Sequence, residues 1–204
     1  MDLLIIIANI AALGAIIYFW RRSRKPKQLK SFSKTEHRLE NVQVGGVIHI
    51  SLMEDSFEDY DLVITNKHEY QSGGDSWYEL VGDNANTQIT IDFEEGSELL
   101  VNIQLRQLTF QELPISRANL DDFADSESGS FMWGNMSFFY QDSGKGTLFN
   151  NCNQKDKEDF YYWEFATSDN TYFISCEQWE DNSIEVTYSK KLPKSSIEVY
   201  SLKD

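Results

Sequence analysis

The chain begins with an apolar segment, residues 3–20, that contains no charged side chain. As a helix, these 18 residues would span about 27 Å, which is close to the hydrocarbon thickness of a bilayer. Tyr18 and Trp20 stand at its end, and their amphipathic rings favour the level of the lipid headgroups. The pattern therefore predicts a transmembrane anchor over residues 1–20.

Six basic residues follow the apolar segment, whereas only Asp2 is charged before it. A secretory signal peptide, the main alternative to an anchor, has the opposite order and a small-residue cleavage site after its apolar core. Because basic flanks stay on the cytoplasmic side, we expect a retained single-pass anchor with the N-terminus outside. The basic residues, which we expect to contact the membrane surface, are Arg21, Arg22, Arg24, Lys25, Lys27 and Lys30.

From residue 42 onward, hydrophobic and polar positions alternate with a period of two in short runs. Such runs, for example residues 47–52 and 88–93, are typical of strands, and the Gly, Asn and Asp between them are turn residues. No amphipathic helix of ten or more residues is indicated, and only a short helical turn is expected at residues 116–123. The predicted fold class is all-β, with one N-terminal transmembrane helix followed by an antiparallel β domain.

The two halves of the β region resemble each other when the first is shifted by 85 positions. Glu79 then meets Glu164, and Asp92 meets Glu177. Alternating sequences also match by chance, so duplication and coincidence both stay open. Duplication would give two pseudo-repeated β-units with a natural groove at their interface. The expected segments are an anchor (1–20), a basic juxtamembrane linker (21–41), a first β-unit (42–112), an acidic connector (113–127) and a second β-unit (128–204).

Short motifs in the β region carry a resemblance to a known family. They are Gly45-Gly46, the strand pattern of residues 59–65, Trp77-Tyr78-Glu79-Leu80, and Tyr172-Phe173-Ile174-Ser175-Cys176-Glu177-Gln178-Trp179. Residues 42–201 thereby resemble the bacterial family catalogued as domain of unknown function 4178. The resemblance implies no established activity and no catalytic residues. It implies a context of membrane-stress proteins and small membrane proteins, with phage-shock-like and polyamine-synthase-like neighbours.

Acidic residues outnumber basic ones, 33 to 18, and the formal net charge is −15. Beyond residue 30 the imbalance grows to 32 acidic against 12 basic side chains. This charge argues against nucleic-acid binding, because neutralising phosphates needs clustered Lys and Arg. It favours a basic or cationic partner, and it repels the domain from an anionic membrane surface.

No catalytic motif stands out in the chain. The three His residues lack metal-ligand spacing, and no nucleophile elbow is present, so neither a metal nor a cofactor is predicted. Residues 143–147, Ser-Gly-Lys-Gly-Thr, superficially resemble a phosphate-binding loop but lack its residue order. A hairpin turn between two aromatic-rich strands explains them.

Carboxylates beside aromatic residues are the most interesting side chains. Glu79, Glu164 and Glu177 each lie in a predicted strand next to Trp or Tyr. If buried against these rings, they would have raised pKa values. The favoured alternative is that period two turns them to solvent. The candidate binding residues are Trp77, Glu79, Trp163, Glu164, Glu177 and Trp179.

Three functions are compatible with these features. The first is a non-enzymatic interaction module that recruits another membrane or membrane-associated protein at the bacterial inner membrane, for instance in an envelope-stress assembly. The alternative is a sensor or carrier of a small cationic ligand such as a polyamine, bound in a groove between the halves. The third is an enzyme that uses strand carboxylates, against which the missing catalytic motifs argue.

Overall fold

A computed structural model of the protein describes residues 38–51, 59–84, 87–95 and 99–202. These residues form eleven strands and one α-helix. The strands are β1 Val47–Ser51, β2 Asp59–Ser72, β3 Asp75–Asn84, β4 Thr87–Glu95, β5 Leu99–Thr109, β6 Ser130–Trp133, β7 Met136–Phe149, β8 Lys157–Ala166, β9 Tyr172–Trp179, β10 Ile184–Lys191 and β11 Ile197–Ser201; the helix is α1 Arg117–Ser126. The predicted all-β, antiparallel character of the domain is confirmed.

The eleven strands form one sheet in the order β11-β1-β2-β3-β4-β5-β10-β9-β8-β7-β6, and every neighbouring pair is antiparallel. The sheet also closes on itself, because β2 pairs with β7 through Glu69–Phe149, Tyr70–Leu148 and Gln71–Thr147. The eight strands from β2 round to β7 therefore form a closed ring, here called the ring.

Strands β1–β5 and β6–β10 are two meanders of five consecutive strands each. The fifth strands of the two meanders pair with each other, and so do the second strands. Two equivalent units related by a two-fold axis would pair in this way. The C-terminal strand β11 lies inside the expected second unit (128–204) but pairs with β1 of the first.

The strands send alternate side chains to opposite faces of the sheet. In β4, Ile89, Ile91 and Phe93 enter a first apolar core, while Thr90 and Asp92 point into the ring. The second meander repeats this pattern around a second core, which contains Trp163, Phe165, Ile174 and Cys176. The period of two thus leaves an apolar core outside each half of the ring and polar side chains within it.

Helix α1 lies in the expected acidic connector and is longer than the predicted helical turn. Ser116 caps it, because its hydroxyl accepts a hydrogen bond from the Asn119 N–H and the Asn119 side chain accepts one from the Ser116 N–H. Glu127 ends it in the left-handed conformation. Leu120 is fully buried in the second core, which the helix covers.

The end of the expected linker (21–41) is part of the folded domain. Leu39 is buried in the first core, and the Lys67 ammonium donates to the carbonyls of Glu40 and Val42, at 2.5 and 3.2 Å. The predicted anchor (1–20) and the basic residues 21–30 lie outside the described residues. Among the described residues, no helix is long and apolar enough to cross a bilayer.

Candidate functional site

The ring encloses a cavity of about 760 Å³, here called the acidic cavity. All eight ring strands contribute side chains to its wall. This volume lies within the range of about 300–1,000 Å³ that is usual for small-molecule sites. The cavity lies between the two meanders, so it is the feature of the domain best shaped to hold a ligand.

Four carboxylates, here called the inner carboxylates, line the acidic cavity. Glu79 and Asp92 are directly opposite each other on β3 and β4, and Glu164 and Glu177 come from β8 and β9. Each is half-buried and lines the cavity. Within the described part of the chain, none of the four has a hydrogen-bond or ion-pair partner. Their negative charge is therefore uncompensated.

Burial raises the pKa of every inner carboxyl. Loss of water and then the charge of Glu185 raise the pKa of Glu79 to about 7. Loss of water, followed by Asp142 and Glu94, raises the pKa of Glu164 to about 7. The ionised forms are disfavoured because neither water nor a positive charge stabilises them.

The other two inner carboxyls show the same effect. Burial, and then Glu79 and Glu185, raise the pKa of Glu177 to about 8. The pKa of Asp92 lies well above its usual range because of burial and the charges of Glu79, Glu177 and Glu164. These charges come from both meanders, so the inner carboxylates repel one another across the ring.

The outer parts of the cavity wall are also acidic. Four exposed carboxylates and one exposed lysine contribute there: Asp75, Glu94, Asp142, Glu185 and Lys191. Asp142 is partly engaged, since the Tyr162 hydroxyl donates to it at 2.7 Å. The described part of the wall therefore holds eight carboxylates against a single lysine.

An aromatic cluster fills one end of the ring. Tyr70 and Trp77 stack with their centroids 5.4 Å apart, and Phe160 meets both edge-on. Trp179 packs behind them against Phe160. Tyr70, Trp77 and Tyr162 also line the acidic cavity. This end presents ring surface next to carboxylates, a combination that attracts organic cations.

Neutral polar side chains occupy the wall between the acidic groups. The Gln104 amide donates to Gln107 at 2.7 Å and to the Thr187 hydroxyl at 3.4 Å. These groups satisfy one another, whereas the inner carboxylates have no such partner. The inner carboxylates are therefore more available to bind a ligand than these three side chains.

The carboxylates are spread around the wall. In the described ranges, no three His, Cys, Asp or Glu side chains come close enough together to hold a metal ion. A compact metal site needs several ligands converging within about 2–2.6 Å of one point. The arrangement is better matched to an extended cation than to a single ion.

Four of the six candidate binding residues line the acidic cavity: Trp77, Glu79, Glu164 and Glu177. The favoured interpretation, that the three glutamates face solvent, is wrong, because the closed ring turns this face of the sheet inward. Trp163 lies on the opposite face, 1 % exposed in the second core, where Arg117 lies over its ring. Trp179 supports the aromatic cluster without lining the cavity.

Asp92 is the inner carboxylate that was not among the sequence candidates. Its strand, β4, contains no Trp or Tyr, so the aromatic criterion did not select it. The match of Asp92 with Glu177 at the 85-residue shift was the available signal, because equivalent strand positions face the same side.

Residues 143–147 do not form the predicted hairpin turn. They continue β7, where Gly144 pairs with Tyr162 and Gly146 with Phe160. A Cβ on Gly146 would lie 2.4 Å from the Phe160 ring, so a glycine is needed for the ring to fit. The two glycines make room for aromatic side chains inside the ring and do not mark a turn.

The fold and the cavity together define a closed antiparallel β domain with an internal acidic site. The family model of the domain of unknown function DUF4178 matches residues 56–194, and the chain belongs to this family. No curated protein matches the chain. No solved structure matches it either.

Proposed function

We propose that the domain binds a small organic polycation, such as a linear polyamine, in the acidic cavity. The observation that carries this proposal concerns the described residues: four inner carboxylates have no partner among them, in a wall to which they contribute eight carboxylates and one lysine. Buried charges are costly unless they are paired. A bound cation supplies the missing positive charge.

The positions of the acidic groups support an extended ligand. Glu79, Glu177 and Glu185 form one electrostatically interacting set, and Glu164, Asp142 and Glu94 form another. Asp92 interacts with members of both sets. A ligand with ammonium groups separated by methylene chains can reach both sets. The aromatic cluster offers apolar surface and cation–π contacts to such a chain.

Isothermal titration calorimetry of the full-length protein with spermidine tests this proposal. We expect saturable binding at pH 7.5, and an affinity at least about tenfold weaker for the double variant Glu79→Gln/Glu177→Gln, which corresponds to about 1.4 kcal/mol. Glutamine keeps the size of each side chain, so the variant tests the charges.

The matched control is Glu180→Gln, which removes one exposed carboxylate outside the cavity. It should leave the affinity within about twofold of the wild type, because a solvated charge interacts weakly over distance. Equal weakening by Glu180→Gln and by the cavity variant, or no spermidine binding at all, would contradict the proposal.

The membrane anchor, the membrane-associated partner and the enzyme alternative stay predictions. An N-terminal anchor would hold the cavity next to the bacterial inner membrane, where a membrane-associated partner could distinguish the cation-loaded domain from the empty one. Glu79 and Glu164 lie on β3 and β8, the third strands of the two meanders, and this supports duplication as the origin of the site. The enzyme alternative keeps the same carboxylates as its candidates.

A further inference from the structure

Titratable side chains from six of the ring strands surround the inner carboxylates. They are Tyr70 from β2, Asp75 from β3, Glu94 from β4, Asp142 from β7, Tyr162 from β8, and Glu185 and Lys191 from β10; β5 contributes only uncharged side chains to the described wall. Lys191 is exposed, so the described residues place no positive charge deep in the cavity. Four shielded carboxylates cannot all stay ionised in such surroundings.

We propose that cation binding in the acidic cavity is coupled to proton release from the inner carboxylates, so that the domain loads its cation as pH rises and discharges it as pH falls. This inference rests on the proposed function, and it adds that protons and the cation compete for the same four side chains. The protons are released to the solvent, and the bound cation then neutralises the carboxylates in their place.

The closed ring makes this coupling obligatory. A solvated carboxylate ionises below neutral pH whether or not a cation is present, so a cation that binds to it near pH 7 displaces no proton. Glu79, Glu164 and Glu177 have pKa values of about 7 to 8, so a fraction of these carboxyls is protonated in the empty cavity at pH 7. A cation stabilises their ionised forms and lowers their pKa values.

The coupling is reciprocal. If the cation promotes the loss of protons, protons must weaken the binding of the cation by the same free energy. Release of about one proton per ligand gives about a tenfold change in affinity for each pH unit. A change of one unit around neutral pH would then move the domain between about three-quarters and about one-quarter loaded, at a cation concentration midway on a logarithmic scale between the two dissociation constants.

Calorimetry in two buffers of different ionisation enthalpy tests the coupling directly. The full-length protein is titrated with spermidine at pH 7.0 in phosphate and in MOPS, and the difference in heat gives the number of protons released. We expect about one proton or more per spermidine, and an affinity that falls about tenfold between pH 7.5 and pH 6.5. Glu177→Gln should release fewer protons, while Glu180→Gln should match the wild type.

The outcomes of this experiment distinguish the proposed cation binding from its coupling to proton release. Spermidine binding with equal heats in both buffers and an affinity that does not change with pH would overturn the coupling and leave the proposed function intact. Equal proton release by Glu177→Gln and the wild type would also overturn it. Absence of spermidine binding at every pH would overturn both proposals.

Discussion

Glu177 shows how the position of a side chain in a strand can make its negative charge destabilising. It lies in β9 between the buried side chain of Cys176 and Gln178, and period two turns it into the ring. There it has lost water and faces Glu79 and Glu185. Its ionised form is therefore less stable in the folded protein than in the unfolded chain.

Glu177→Gln should stabilise the protein without ligand at pH 8 and change its stability little at pH 4. The folded pKa, about 8, is above the ordinary value of 4.5, so the stability linked to this group is complete below pH 4.5 and is lost as pH rises through 8. We expect a gain of at least about 1 kcal/mol at pH 8, or about 2–4 °C in Tm. Thermal unfolding followed by circular dichroism at both pH values measures it.

The matched control for this change is again Glu180→Gln, which should shift Tm by less than about 1 °C at either pH. A destabilised Glu177→Gln at pH 8 would mean that the carboxylate already has a stabilising partner. That result would contradict the uncompensated cavity.

Gly146→Ala should destabilise the protein by about 1–3 kcal/mol, because its new Cβ would lie 2.4 Å from the buried Phe160 ring. Gly144→Ala is the matched control, since its nearest neighbour, the Tyr162 ring, is 3.3 Å away. Urea unfolding of both variants gives the comparison. Equal stabilities would show that Phe160 shifts freely.

The residue types of the site were readable from the sequence, but their surroundings were not. Glu79, Glu164 and Glu177 stand out beside aromatic residues. The alternation of side chains along the strands indicates that they share a face of the sheet. It does not show whether the sheet closes into a ring around that face. Three residue pairs between β2 and β7 close it, and they join segments nearly 80 residues apart.

Strands and helix differ in how well their patterns predict them. Strands such as β4 and β9 alternate apolar and polar residues, and each was predicted near its observed position. Helix α1 has one fully buried residue, Leu120, and several exposed acids, so its helical period is weak. The tertiary contact with the second core stabilises it.

Leu120→Ala should cost about 2–5 kcal/mol, because it leaves a cavity where the helix meets the second core. Ser116→Ala, which removes only the cap, should cost about 1 kcal/mol. Urea unfolding followed by tryptophan fluorescence distinguishes them. Equal small effects would mean that α1 is not part of the cooperative fold.

At the scale of the whole molecule, an N-terminal anchor is a prediction that would determine where the acidic cavity operates. The full chain should stay with the membrane fraction after an alkaline carbonate wash, because a bilayer-spanning helix resists extraction. Deletion of residues 1–20 should release the domain into the soluble fraction. A full chain that is already soluble would contradict the anchor.

Binding of an organic cation among the inner carboxylates would be visible in a crystal structure of the protein grown with spermidine at pH 7.5. We expect spermidine inside the ring, with ammonium nitrogens about 2.7–2.9 Å from oxygens of Glu79 and Glu177. Spermidine bound only on the outer surface, with the inner carboxylates left unpaired, would contradict it.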